Sequence, residues 1–214
     1  MNKREFLKRA GAFAAGSMWP PLMADEQEHA RSNWSGNYTY SARRLHVPRT
    51  VDEVRQVVKN CSKLKALGTR HSFNGIADSK ENQISLQNLK QTVLDRKSRS
   101  VTVGAGVRYG DLAPYLYKNG FALHNLASLP HISVAGARST ATHGSGSRNG
   151  NLATAVSGIE LVTADGALVP LSREKDGERF QGRFHAGSPV GHAVIAPGND
   201  RASLPPPNAF HDKI

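Results

Sequence analysis

From Val51 the apolar positions recur at helical spacing: Val51, Val54, Val57, Val58 and Cys61 fall on one face. Thr50 followed by Glu53 forms a capping box, which satisfies free amides at a helix start. A helix is therefore predicted here, with Cys61 on its apolar stripe as a buried structural thiol. It stops before Leu64-Lys65-Ala66-Leu67, a short strand that runs into Gly68. Gln83 to Leu86 and Ser100 to Val107 read as further strands, the second with alternating Val101 and Val103. Tyr109 to Lys118 suits a short helix closed by Asn119-Gly120, and Phe121 to Leu123 reads as another strand. Val156 to Thr163 and Ala167 to Leu171 flank the turn Ala164-Asp165-Gly166, the pattern of a β-hairpin. Short strands mixed with helices predict an α+β fold.

Large aliphatic residues concentrate between about Leu45 and Leu171, so one compact unit with two looser tails is expected. From Arg183 to Ile214 periodicity is lost, and an irregular tail is predicted. At the other end, Asn2-Lys3-Arg4-Glu5-Phe6-Leu7-Lys8 resembles a twin-arginine signal, with Lys in place of the first Arg. The weakly apolar run Ala10 to Met18 is too short to span a bilayer. Residues 1–32 are expected to be signal and linker, and the protein periplasmic or exported; a basic start on a cytoplasmic protein is the other reading.

The 214 residues carry a formal net charge of +11, which raises nucleic acid as a partner. The Lys and Arg residues are scattered, and no zinc-finger, bZIP or RNP pattern accompanies them. No nucleic-acid partner is expected; a dispersed positive surface suits solubility or an anionic cofactor. The single cysteine leaves no internal disulfide to form.

Two loop-like stretches carry the candidate chemistry. Gly68-Thr69-Arg70-His71-Ser72-Phe73-Asn74 follows a predicted strand, and its glycine lets the backbone turn and bring amides close to a ligand. Ser128-Leu129-Pro130-His131-Ile132-Ser133-Val134-Ala135-Gly136, continued by Thr140-Ala141-Thr142-His143-Gly144-Ser145-Gly146, is a long run of small and hydroxylated residues. Two such loops in one domain imply a pocket for something larger than a phosphate. Two other motifs fail. Gly104-Ala105-Gly106-Val107-Arg108-Tyr109-Gly110 resembles a dinucleotide fingerprint with one extra residue, but no strand ending in an acidic residue follows at the right distance. The Ser residues near Gly144 form no Gly-x-Ser-x-Gly elbow.

Together with Asn33-Trp34-Ser35-Gly36-Asn37, the His71 loop and the stretch Ala127 to Gly136 resemble alditol oxidases. These are flavoprotein oxidases with a vanillyl-alcohol-oxidase-type (PCMH-type) FAD domain, a group that includes sugar-lactone oxidases. The resemblance covers about residues 33–182 and implies a two-lobed FAD-binding domain, with lobes at about 45–103 and 104–182 and without the C-terminal substrate domain. It further implies FAD bonded covalently to His71 through its 8α carbon. Ala66, Leu67, Gly68, Thr69, Arg70, His71 and Ser72 would cradle the pyrophosphate. Ser128, Ser133, Gly136, Thr140, Ala141, Thr142 and His143 would line the cofactor, Ser128 also facing the substrate pocket as the candidate catalytic residue. His131 and His143 read as structural or flavin-contacting positions rather than bases. Arg70, outside the family pattern, could balance pyrophosphate or flavin charge.

The implied reaction is oxidation of a polyol hydroxyl, with dioxygen as acceptor and hydrogen peroxide as product. Sugar-1,4-lactone oxidase is the alternative within the group. A non-catalytic FAD-binding remnant and a basic anion-binding exported protein are the readings from other classes. Two departures from the family stand out. After Gly182, Arg183 to Pro189 replaces an apolar strand segment, which is what a shifted reading frame produces, and Pro189 argues against a central strand. Arg138 stands where the family prefers a small residue.

Overall fold

A computed structural model describes residues 31–182 and 190–195 of the chain. The signal-like segment and the remainder of the tail lie outside the described residues. Two sheets organise the rest. The first contains β1 (Arg44–His46), β2 (Leu64–Leu67) and β3 (Asn82–Ser85), ordered β1-β3-β2 and parallel throughout. Parallel neighbours need crossovers, and α1 (Val51–Asn60) lies between β1 and β2 in the chain. Its start is the predicted one: the Glu53 amide donates to Thr50 Oγ1 at 3.2 Å, and the Glu53 carboxylate accepts from the Arg49 amide at 2.7 Å. Val54 and Val58 face a core of Ile84, Leu86, Leu89, Ala105 and Val162. Cys61 falls just past the helix rather than on its stripe; it is half-buried, with Sγ 3.7 Å from His46 Nε2.

The second sheet contains β4 (Thr92–Asp95), β5 (Ser100–Gly104), β6 (Val156–Val162), β7 (Leu168–Ser172) and β8 (Val190–Ile195). Their order is β4-β5-β8-β6-β7, antiparallel at every step. α2 (Tyr109–Lys118) buries Tyr109, Leu112 and Leu116 in a core with Val101, Val103, Ile159 and Leu161. α3 (Val134–Ser139) adds Val134 and Ala137 to that core. α4 (Arg173–Gly182) consists of two helical segments that meet at Gly177, where φ is 45°. The β6–β7 hairpin closes as predicted, with Gly166 at φ 76°. Arg55 Nε on α1 donates to the Gly166 carbonyl at 2.8 Å, which ties the first sheet's helix to the second sheet's turn. Among the described residues no helix is long and apolar enough to cross a membrane.

Four further sequence expectations are corrected. Residues 190–195 are not irregular: they form β8, which pairs with β5 on one side and β6 on the other. Pro189 itself lies outside the described residues, one position before the strand. The boundary between lobes falls near Leu86–Gln91 rather than at 103, because β4 and β5 pair into the second sheet. Phe121 to Leu123 has no strand partner among the described residues; Phe121 and Leu123 pack on the core from an irregular segment. The strand predicted through Val107 ends at Gly104.

That last ending explains the glycines that resemble a dinucleotide fingerprint. The Gly104 amide donates to the Gln91 carbonyl at 2.8 Å and the Gly106 amide to the Leu89 carbonyl at 2.9 Å. A Cβ on Gly106 would lie 2.5 Å from the Leu86 carbonyl oxygen and 2.6 Å from that of Gln87. A Cβ on Gly104 would collide with the Leu89 carbonyl. The pair lets two backbone segments touch where the sheets join. Gly106→Ala should therefore lower the unfolding free energy by about 1–3 kcal/mol, measured by urea denaturation.

Candidate functional site

Leu67 is buried at the end of β2, and the chain then leaves the sheet at Gly68. A clasp formed by residues 32–38 holds the loop that follows. The Trp34 amide donates to the Arg70 carbonyl at 2.8 Å. Asn33 Nδ2 donates to the Ser72 carbonyl at 2.9 Å, and Asn37 Nδ2 to that of Phe73 at 3.2 Å. Asn33 is 4% exposed, and its Oδ1 accepts from the Tyr38 amide at 3.1 Å, so its amide group is fully used. Under this restraint Arg70 adopts φ 66°, the left-handed region that non-glycine residues avoid. Arg70 Nη1 donates to the Ser32 carbonyl at 3.3 Å. The clasp thus uses the loop's carbonyls. The amides of Thr69, His71 and Ser72 donate to no acceptor among the described residues. A backbone with bare amides around a left-handed residue is an anion-binding concavity.

The second stretch arrives from the other sheet. Tyr109 N donates to Ile132 O and Val134 N to Val107 O, which holds the stretch along the start of α2. Ser133 caps α3, its Oγ accepting from the Gly136 amide at 3.3 Å. The Ser133 amide donates to Thr69 Oγ1 at 3.2 Å, joining the two loops. A Cβ on Gly68 would lie 3.4 Å from Ser133 Oγ and 3.9 Å from Gly136 Cα, so the loops are in contact. Arg138, the residue out of keeping with the family, is 2% exposed on α3, and burial pulls its guanidinium down to about 10, still charged at neutral pH.

Three rings complete the arrangement. The centroids of His71 and His131 lie 4.5 Å apart, and Trp34 covers both at 5.0 and 5.6 Å. Both ring nitrogens of His71, and Nε2 of His131, are buried without a hydrogen-bond partner. Burial first, then the neighbouring His131 and Arg70, hold the His71 pKa below its ordinary value. The imidazole is therefore neutral at pH 7 and has a lone pair to offer.

The expected site residues are not all brought together. Ala66 to Ser72, Ser133 and Gly136 converge as described. Thr140 to Thr142 continue beyond α3: Thr140 Oγ1 donates to the Gly136 carbonyl at 3.1 Å, Ala141 has φ 53°, and the Thr142 amide donates to Ala137 O. Ser128 is exposed, and His143 is exposed with Nδ1 2.9 Å from the Gly144 carbonyl. No hydrogen bond or ring contact joins either to the His71 loop among the described residues. Asn33 and Asn37 were legible as part of a motif but not as the clasp, because their partners lie 39 and 36 positions away.

Two sheets joined by paired loops, with bare amides and an unpartnered imidazole, form a site for a ligand that reaches both loops. The fold is similar to that of 6-hydroxy-D-nicotine oxidase from Arthrobacter nicotinovorans (TM-score 0.71, 20% identity), over 83% of this chain and 41% of that one. A chitooligosaccharide oxidase is similar too (TM-score 0.70, 19% identity), over 85% and 40% of the two chains. The family described as FAD binding domain matches residues 42–172, and the chain belongs to it. Alditol oxidase from a Streptomyces species is 46% identical over 147 residues, 67% of this chain and 35% of that protein. L-Gulonolactone oxidase of Mus musculus is 34% identical over 161 residues, 72% of this chain and 37% of that protein. The chain thus spans a little over a third of the length of these curated relatives.

Two outcomes follow for the apoprotein. Asn33→Ala leaves the Tyr38 amide and the Ser72 carbonyl unpaired; it should cost about 1–3 kcal/mol and speed hydrogen exchange at the Trp34 amide. A histidine whose folded pKa lies below its unfolded value of about 6.5 binds more protons when unfolded. The His71 contribution is therefore full above about pH 6.5 and is lost as pH falls toward the folded pKa. Urea midpoints should drop less between about pH 7.5 and 5.5 in His71→Asn than in the unaltered chain.

Proposed function

We propose that this chain binds FAD between its two sheets and holds it covalently on His71, as the cofactor-carrying part of an oxidase. In the complete reaction, a polyol hydroxyl is oxidised with dioxygen as acceptor and hydrogen peroxide as product. The observation that carries the reading is His71: a neutral, half-buried imidazole with both nitrogens unpartnered, beside a loop of bare amides. Leaving buried polar atoms unmade costs about 1–3 kcal/mol each, so the site suits a ligand that engages them. The family match and the alditol oxidase likeness support the same cofactor and substrate class.

The amides of Thr69, His71 and Ser72 bind the pyrophosphate, with Arg70 balancing its charge. Ser133 and Gly136 form the facing wall, extended by Thr140 to His143, and Gly68 and Gly136 let the cofactor approach the backbone. FAD held there supplies a hydride acceptor and a route for the electron pair to dioxygen. Ser128, exposed at the edge of the second loop, meets the substrate hydroxyl. The likeness to L-gulonolactone oxidase favours a second reading within the class, a sugar-1,4-lactone as substrate. The twin-arginine-like start supports export of the folded, cofactor-loaded protein.

The test is to precipitate the purified protein in acid and follow the yellow colour. Colour should stay in the pellet and disappear from it in His71→Ala. Colour that leaves with the supernatant ends the covalent reading, and absence of flavin from both fractions ends the FAD reading. Peroxide release on adding a polyol or a sugar-1,4-lactone then separates the two substrates, and release with neither identifies a non-catalytic FAD-binding remnant.

A further inference from the structure

We propose that His131 is the group that takes the imidazole proton of His71 when the flavin link forms, so that the chain carries its own base for attaching its cofactor. This inference rests on the covalent reading above and adds a residue to it.

The geometry points to the pair rather than to His71 alone. The two rings are neighbours, with centroids 4.5 Å apart and planes inclined at 42°. His131 Nε2 is buried and unpartnered, as are both nitrogens of His71. Buried imidazole nitrogens normally find partners, and the ring nearest to each of these two is the other. The two histidines come from different sheets, and the 3.2 Å bond between the Ser133 amide and Thr69 Oγ1 holds their loops together two residues from each. Trp34 lies tilted over His71 and stacked on His131, so either ring meets an aromatic face when it becomes cationic.

The chemistry needs such a partner. One imidazole nitrogen bonds to the flavin's 8α carbon, while a C–H bond of that methyl group and the imidazole's own N–H bond break. The electron pair released by this exchange passes to dioxygen, which takes up two protons and leaves as hydrogen peroxide. His71 would end the step as a cation if its N–H proton stayed. Burial, with Arg70 alongside, disfavours that cation, and the pKa of His71 is already lowered for the same reasons. His131 is the titratable side chain in ring contact with His71, and it passes the proton onward. The guanidinium of Arg70 offers donors and no acceptor for it. The sequence reading takes His131 as structural or flavin-contacting rather than as a base; its pairing with a histidine sixty positions earlier appears only in the fold.

The test uses protein expressed without riboflavin and then mixed with FAD. Non-covalent binding is followed by quenching of flavin fluorescence, and covalent incorporation by fluorescence of the denatured protein band. His131→Gln keeps a hydrogen-bonding side chain that cannot hold a proton. It should bind FAD within about threefold of the unaltered chain but incorporate it about 10²-fold more slowly or worse. His131→Asp, which can hold a proton, should recover part of the rate, as should added imidazole with His131→Ala. Incorporation at full rate in His131→Gln overturns the proposal. So does parallel loss of binding and incorporation in all three variants, which would mark His131 as structural. If the unaltered chain binds FAD but never links it, the covalent reading has failed and this inference with it.

Discussion

One hydrogen bond, from the Ser133 amide to the Thr69 hydroxyl, spans 64 positions of sequence and joins the loop after β2 to the cap of α3. The site depends on it because the two loops belong to different sheets. Each sheet has its own buried cluster, and the seam between them is apolar: Ala105 and Val162 from the second lobe pack with Val54 and Ile84 of the first. That seam fixes the lobes, and the Thr69–Ser133 bond then fixes the loops. A Cβ at Gly136 would lie 2.9 Å from Ser133 Oγ, so that glycine leaves room for the capping serine beside the bond. A ligand touching both loops therefore meets walls already in place, which lowers the ordering cost of binding.

The clasp determines the chemical character of one wall. By accepting from Trp34, Asn33 and Asn37, the carbonyls of Arg70, Ser72 and Phe73 are turned away from the site. Carbonyls and amides alternate along a chain, so engaging the carbonyls on one side leaves the donors on the other. The left-handed Arg70 concentrates those donors by curling the backbone around them. The electropositive character of the loop is thus a matter of backbone direction, imposed by two asparagine side chains, and owes little to the chain's net charge of +11.

Much of this fold was legible in the sequence, and the exceptions share a cause. α1 and α2 each have an apolar stripe and a local end signal, Thr50 with Glu53 for one and Asn119-Gly120 for the other, and both appear where the pattern put them. The β6–β7 hairpin has alternation and a glycine turn. β1, β4 and α3, at 3, 4 and 6 residues, are too short for a period to register. β8 is the clearest case, since a Pro before it and Gly191-His192 within it break the local pattern. It is a strand because β5 and β6 would otherwise present open edges to each other, a condition that exists only once both have formed. The site divides the same way. The His71 loop and the small-residue stretch could be read as motifs, but the clasp, the Thr69–Ser133 bond and the His71–His131 contact join residues far apart in the chain.

Taken together, these features place cost and use at the same position. A left-handed arginine costs about 1–3 kcal/mol, and a buried imidazole nitrogen without a partner about as much again. Relief of the second cost would need His71 to turn outward. The clasp prevents this by holding the backbone on both sides of His71, at Arg70 and at Ser72. What would be a defect in a purely structural loop is therefore maintained by dedicated side chains. The same desolvation that makes the imidazolium unfavourable keeps the neutral ring, the only form with a lone pair to share, dominant at neutral pH. A residue held neutral, unpartnered and in place by its neighbours keeps its lone pair available to a ligand.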